Sequence, residues 1–256
     1  MARISRFSNF KKASWYNLGR TLGKAQKEHS ILIPAIAKKT YDRLKSDIKF
    51  RRLTSNMKQA MKTLRSPFVR AELLHREVDR ELKTLFKDPL VKKHVSCEAG
   101  CTACCHTQVS VTNDEATLLA RKILNKEADV NLGKLYIQGI AENEADEFYK
   151  IPYHMRACIF LNESGLCSVY DDRPAVCRTN NVVSDPVEYS TEEGIEKPIR
   201  LLNTPTADML IAGAFMASLE NGTLQNMVWK ALIRLKEARK DKKLANRPLP
   251  NGENSL

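Results

Sequence analysis

The chain has 256 residues, of which 43 % are apolar, and a formal net charge of +12. This length and apolar content suffice for one large domain or two small ones, and only 10 Gly and 10 Pro argue against long flexible linkers. The sequence contains no run of eighteen apolar residues, so we expect no membrane-spanning helix.

The positive charge is concentrated before the first cysteine. Residues 1–96 contain 24 Lys and Arg against 8 Asp and Glu, whereas residues 97–256 contain 18 basic and 22 acidic residues. This asymmetry indicates regions with different environments. We predict a basic helical N-terminal region (1–96), a cysteine-cluster metal-binding core (97–178), a helical region packed on that core (179–243) and a disordered tail (244–256).

The first 27 residues contain seven basic residues, four aromatic residues and no acid. One interpretation is an arm that binds nucleic acid or a large anionic assembly, with lysines on phosphates and aromatic rings on bases. Others are contact with an anionic membrane surface, an organelle transit sequence, or simply a solvated basic face. The candidate contacts are Arg3, Arg6, Lys11, Lys12, Trp15 and Arg20.

Helical periodicity dominates the basic region and predicts a mainly α-helical fold, with helical flanks around an irregular cysteine-rich core and little β structure. Helices are predicted over 34–50 and 53–64. A third begins at Pro67 after Ser66 as N-cap and ends at Asp88-Pro89. Its predicted buried face is Ala71, Leu74, Val78, Leu82 and Leu85.

All seven cysteines lie between residues 97 and 177, in the pattern Cys97-x3-Cys101-x2-Cys104-Cys105 followed by Cys158-x8-Cys167-x9-Cys177. A Cys-x2-Cys pair lets two thiolates bind one ion. Adjacent side chains diverge, so Cys104 and Cys105 are expected to reach two ions or two irons of one cluster. Because the ligands are far apart in sequence, metal binding would contribute to folding.

The number of candidate ligands does not decide which metal is bound. Two tetrahedral zinc sites need eight ligands, and His106 or His154 could supply the eighth. One [4Fe–4S] cluster would use four thiolates and leave three. Disulfides and buried free cysteines are the alternatives, but an odd count and the lack of a secretory signal at the N-terminus favour reduced thiols in a cytoplasmic protein.

Elements after the first cysteines are shorter. An extended piece is predicted around Val109 and Val111, then a helix capped by Asn113 with Leu118, Leu119, Ile123 and Leu124 buried. Asp114 and Glu115 are candidate metal ligands or a general base, although their place in the first helical turn already explains them. A further helix is predicted over 132–149, ended by Pro152.

The stretch between Cys158 and Cys177 contains turn residues, which suit thiolates converging from different directions. Tyr170, Arg173 and Arg178 are candidates to surround the metal site, since a guanidinium offsets the charge of several thiolates. Residues 179–203 are expected to be extended and partly β. Helices are then predicted from Thr204-Pro205 to Leu219, ended by Asn221-Gly222, and over about 224–243.

The segments CEAGCTACC (97–105) and CIFLNESGLCSVYDDRPAVCR (158–178) resemble a cysteine-cluster family of zinc- or iron-chelating domains. Shared elements are the opening that ends in a doublet, Cys167-Ser-Val-Tyr170, and Arg173-Pro174-Ala-Val-Cys177-Arg178. The resemblance implies that the cysteines bind Zn²⁺ or iron, the latter alone or in an iron–sulfur cluster. The family is similar to flagellin lysine N-methylases, which implies an enzymatic alternative.

Nucleotide-binding, hydrolase and metalloprotease signatures are absent from the sequence. Cys97, Cys101 and Cys104 match the radical S-adenosylmethionine spacing, but the chain lacks that family's βα pattern. Three hypotheses remain: a metal-stabilised protein whose basic half binds an anionic partner, an iron–sulfur enzyme such as a protein lysine N-methyltransferase, and a metal or redox handling protein. Oligomeric state is left open.

Overall fold

A computed structural model describes residues 33–98, 100–140, 145–185 and 199–245. The chain divides into two units, Met1–Ile31 and Leu32–Leu256, and every described residue belongs to the second. The candidate contact residues of the first 27 positions, from Arg3 to Arg20, therefore lie outside the described residues. Of the tail predicted over 244–256, residues 244 and 245 belong to the last helix, which ends at Ala245, and the rest lies outside the described residues as well.

Eleven α-helices are found in the described residues, which confirms a mainly α fold. In chain order they are α1 (Ala35–Leu44), α2 (Ile48–Thr63), α3 (Pro67–Leu85), α4 (Pro89–His94), α5 (Asn113–Leu124), α6 (Leu132–Ile140), α7 (Ala145–Tyr149), α8 (Tyr153–Arg156), α9 (Ala175–Thr179), α10 (Pro205–Ala217) and α11 (Leu224–Ala245). Short 3₁₀ helices run over Ala103–His106 and Tyr170–Asp172.

One small antiparallel ribbon joins the two halves of the described chain. Strand β1 (Ser110–Thr112) pairs with β2 (Asn221–Thr223), with Val111 opposite Gly222. The ribbon places the start of α5 beside the start of α11, and α5 packs along α11. Asn221-Gly222 thus belongs to a strand, whereas the sequence pattern predicted it as the end of α10.

The hydrophobic core forms where α10 packs against α1, α2 and α3. Helix α10 is buried nearly all round because its residues are apolar on every side, so it serves as the central helix. The core side chains are Ala37, Met57, Met61, Leu74, Val78, Leu82, Ala175, Ala207, Leu210, Ile211, Ala214 and Phe215. Ala175 brings helix α9, which carries Cys177, into this core.

Some helix boundaries differ from the sequence predictions. The helix predicted over 34–50 is two helices, because Asp47 caps α2 by accepting hydrogen bonds from the backbone N–H groups of Lys49 and Phe50. Of the helix predicted over 132–149, the described residues form α6 and α7, and residues 141–144 between them are not described. Thr112, not Asn113, caps α5, because its hydroxyl accepts from Glu115 N–H at 3.2 Å.

Gly213 allows α10 to approach α2 closely. A methyl group at this position would lie 2.6 Å from the carbonyl oxygen of Thr54, which is shorter than the van der Waals contact distance, and this oxygen belongs to the backbone. We expect Gly213→Ala to lower the free energy of unfolding by about 1–3 kcal/mol, because two packed helices must separate. Denaturant unfolding measures this. Gly133→Ala is the matched control, since its methyl group meets only Asn131 Oδ1 at 3.4 Å; equal losses in both variants would contradict the prediction.

In the part of the chain that the structure describes, no helix combines the length and the apolar character needed to cross a bilayer.

Candidate metal centre

Four segments bring the seven cysteines into one region of the protein. Cys97 and Cys101 lie in the loop after α4, and Cys104 and Cys105 lie on the 3₁₀ helix that follows. The backbone N–H of Cys158 donates to the carbonyl of Cys105 at 2.7 Å, and a β-bridge pairs Leu161 with Cys167. Cys177 comes from α9. All seven are half-buried free thiols.

Cys104 lies at the electrostatic centre of this group. A hydrogen bond from the Cys105 thiol lowers the pKa of Cys104 to about 7, helped by the Asn180 side chain and by the positive charge of Arg173. The same hydrogen bond raises the pKa of Cys105. The thiols that interact electrostatically with Cys104 are Cys97, Cys105, Cys158, Cys167 and Cys177.

Burial makes ionisation of the other thiols costly in the absence of a cation. Burial raises the pKa of Cys158 to about 12 and raises the pKa of Cys177 well above its ordinary value. Neighbouring cysteines add to both shifts. A cation bound at these sulfurs would reverse this effect, since metal ions stabilise coordinated thiolates.

Backbone hydrogen bonds point at several sulfurs, which is the environment that thiolate ligands require. The N–H of Val182 donates to Cys97 Sγ at 3.1 Å. The backbones of Phe160 and Val169, each two residues beyond a cysteine, hydrogen-bond to Cys158 and Cys167 and lower the pKa of those thiols against the larger effect of burial. Soft thiolate donors with such support fit zinc or iron.

Within the described residues, no three side chains of His, Cys, Asp or Glu stand close enough together to hold a metal ion as they are. The two candidate histidines differ in position. His106 stacks face to face on Tyr153, with ring centroids 4.3 Å apart, and its Nδ1 lies 3.2 Å from the Thr102 carbonyl oxygen. His154 is exposed on α8.

The three residues predicted around the site take different positions. The Arg173 guanidinium stacks 3.8 Å from the centre of the exposed Tyr170 ring and acts electrostatically on Cys104 and Cys167. Arg178 is buried and instead donates to Asp79 Oδ2 of α3 at 2.6 Å. Arg178 also donates to the carbonyls of Arg173, at 2.9 Å, and Asp171. Arg178 therefore anchors the Arg173–Arg178 turn to α3.

Glu115 makes more contacts than its position in the first turn of a helix predicted. Its side chain is 1 % exposed. Oε2 accepts from Thr112 N–H and from the Thr112 hydroxyl, both at 3.0 Å. Oε1 accepts from Ala175 N–H at 2.8 Å and lies 3.2 Å from His75 Nε2. Glu115 thus joins α3, α5 and the first residue of α9, the helix that carries Cys177.

Only part of this network has a signal in the sequence. Thr112-x-x-Glu115 is a capping box, which a search for Ser or Thr three residues before Glu would find. Asp114, the neighbouring acid, forms a two-point ion pair with Arg70, at 2.9 and 2.6 Å. The contacts to Arg70, His75 and Ala175 span 40 to 60 residues and have no local signal.

Comparison with known families gives a match that includes all seven cysteines. Residues 96–198 match the family model CxxCxxCC, described as a "putative zinc- or iron-chelating domain". This confirms, for that segment, the family resemblance seen in the cysteine spacing. Searches among curated proteins and among solved structures gave no match. The similarity to flagellin lysine N-methylases is not shown by any of these comparisons.

Proposed function

We propose that this protein binds zinc or iron through Cys97, Cys101, Cys104, Cys105, Cys158, Cys167 and Cys177, and that the metal organises the fold of residues 97–178. The observation that supports this most directly is the match of residues 96–198 to a family of zinc- or iron-chelating domains, and five of the other thiols interact electrostatically with Cys104. His106 or His154 would serve as an eighth ligand if two tetrahedral ions are bound.

Metal binding would have a structural effect because the ligands belong to segments that are far apart in the sequence. The loop around Cys97 and Cys101 is linked to the segment after α9 by hydrogen bonds from Val182 N–H to Cys97 Sγ and from Ser96 N–H to the Val182 carbonyl. Sulfur–metal bonds would join this loop, the 3₁₀ helix, the Cys158–Cys167 turn and α9. The binding free energy would therefore add to the free energy of folding.

We further propose that the basic N-terminal half, residues 1–96, engages an anionic partner. Its excess of 24 basic over 8 acidic residues supports this, since the remainder of the chain is mildly acidic. In this proposal the metal region and the basic region have separate tasks: one maintains the fold and the other makes contact with the partner.

Anaerobic purification followed by measurement of metal and acid-labile sulfide per chain tests the metal proposal. A colourless protein with bound zinc would support a structural site. A brown protein with iron and sulfide would support a cluster and make the enzymatic alternative the one to pursue, beginning with binding of S-adenosylmethionine. A folded protein that retains neither metal after anaerobic loading with Zn²⁺ or with Fe²⁺ and sulfide would overturn the proposal.

A further inference from the structure

Helix α2 has two sharply different faces. Its inward face, with Thr54, Met57 and Met61 buried, packs against α10. Its outward face consists of exposed residues at helical spacing: Ile48, Lys49, Arg51, Arg52, Ser55, Asn56, Gln59, Lys62 and Thr63. These residues share one side because spacings of three, four and seven return to the same side of an α-helix. Among the described residues, the outward face is therefore exposed along the length of α2.

The outward face is basic and contains no carboxylate. Lys49, Arg51, Arg52 and Lys62 are all exposed, and the helix itself contains no Asp or Glu. Nearby acids are occupied: Asp47 accepts hydrogen bonds from backbone N–H groups of the first turn of α2, and Asp42 pairs with Lys38 of α1 and with Lys45. The cations of α2 thus lack acidic partners on their own helix, and their charge is available to an anionic surface.

Polar side chains occupy the middle of the same face. Ser55, Asn56 and Gln59 lie between Arg52 and Lys62. Side chains of Arg, Asn, Gln and Ser are those that hydrogen-bond to base edges, while flanking Lys and Arg contact phosphates. A 16-residue helix is about 24 Å long, and its diameter fits the roughly 12 Å wide major groove of B-form DNA.

Helix α2 packs closely against α10, which would support it in a groove. The Thr54 hydroxyl donates to the Met209 carbonyl at 3.2 Å, and Gly213 lets the two helices approach closely. An anionic membrane is a poorer partner, because insertion requires an exposed apolar face and the apolar face of α2 is already buried. Double-stranded RNA is also poorer, since its major groove is deep and narrow.

We infer that the outward face of α2 is a binding surface for double-stranded DNA, with Arg51, Arg52 and Lys62 on phosphates and Ser55, Asn56 and Gln59 toward the bases. This inference rests on the proposal that the basic N-terminal half engages an anionic partner, and it assigns the partner and the helix.

The test measures anisotropy of a short labelled DNA duplex of mixed sequence titrated with the full, metal-loaded chain at several salt concentrations. The triple variant Arg51→Gln/Arg52→Gln/Lys62→Gln should bind roughly 100-fold more weakly near physiological salt, and its log K against log salt slope should fall by about 2.7. The matched control, Lys87→Gln/Lys92→Gln/Lys93→Gln, removes the same charge from exposed positions around α4 and should keep both values.

Three outcomes would overturn the inference, and they distinguish its failure from failure of the proposal that residues 1–96 engage an anionic partner. If the α2 variant and the control lose DNA affinity equally, the basic region attracts anions in general and α2 is not the binding surface. A second contrary outcome is that the α2 variant still binds DNA while a full-length Arg3→Gln/Arg6→Gln/Lys11→Gln/Lys12→Gln variant does not. The DNA contact would then be made by the first residues of the chain. Failure of the unsubstituted chain to bind DNA duplex, RNA duplex and anionic vesicles alike would overturn both proposals.

Discussion

Replacing Cys104 with serine is expected to remove bound metal and to destabilise the protein by about 5 kcal/mol or more, an amount comparable to the folding free energy of a domain. The physical reason is the position of Cys104, whose charge acts on five of the other thiols. A serine hydroxyl is a poor ligand for zinc or iron, and without the metal the buried neighbouring thiols would be protonated and no longer joined to one another through the ion.

Metal content per chain and the midpoint of thermal unfolding, measured on anaerobically purified protein, check this expectation. Ala103→Ser is the matched control, because it introduces the same hydroxyl one residue earlier on the same 3₁₀ helix. Addition of a strong chelator to the unsubstituted protein should reproduce the loss of stability seen in Cys104→Ser. Full metal content and an unchanged unfolding midpoint in Cys104→Ser would show that Cys104 is not a ligand.

Glu115→Gln is expected to lower the free energy of unfolding by about 3 kcal/mol at neutral pH, because a buried acceptor of several hydrogen bonds loses its charge. Glutamine keeps the shape but has one acceptor oxygen. The NH₂ group of the glutamine must face either Ala175 N–H or Thr112 N–H. A hydrogen-bond donor would then point at another donor, and one backbone N–H would lose its acceptor. Since Ala175 begins α9, we also expect weaker metal binding in this variant.

The pH dependence of stability distinguishes the charge of Glu115 from its shape. Burial by itself would raise the pKa of Glu115, but hydrogen bonds from His75, Ala175 and Thr112 outweigh it and hold the pKa below its ordinary value. A carboxyl with a lower pKa in the folded state stabilises the fold above its unfolded pKa, and this contribution disappears as the pH falls through the folded pKa. The difference between wild type and Glu115→Gln should therefore shrink below about pH 4.5.

Denaturant unfolding of both proteins across the acidic range measures this difference. Glu163→Gln is the control, since Glu163 is exposed in the turn before Cys167. A difference between wild type and Glu115→Gln that stays constant with pH would show that the charge of Glu115 does not stabilise the fold.

The sequence determined those features of this protein that depend on neighbouring residues. Ser66-Pro67 and Thr204-Pro205 mark the starts of α3 and α10, because proline is favoured in the first helical turn. The spacing of apolar residues identified four of the five predicted core positions of α3 as buried. The clustering and spacing of the cysteines sufficed to predict the family match of residues 96–198, since metal-binding cysteines follow characteristic spacings in a sequence.

The tertiary structure alone decided which distant groups meet. Arg178 belongs to the cysteine motif, yet its guanidinium pairs with Asp79, 99 residues away. Glu115 lies in a first helical turn, yet it accepts from the N–H that begins α9. Such pairings depend on how helices pack, and packing is set by side-chain shape across elements rather than by local periodicity. The sequence therefore identified the thiols, whereas the fold determined which residues hold the segments that carry them.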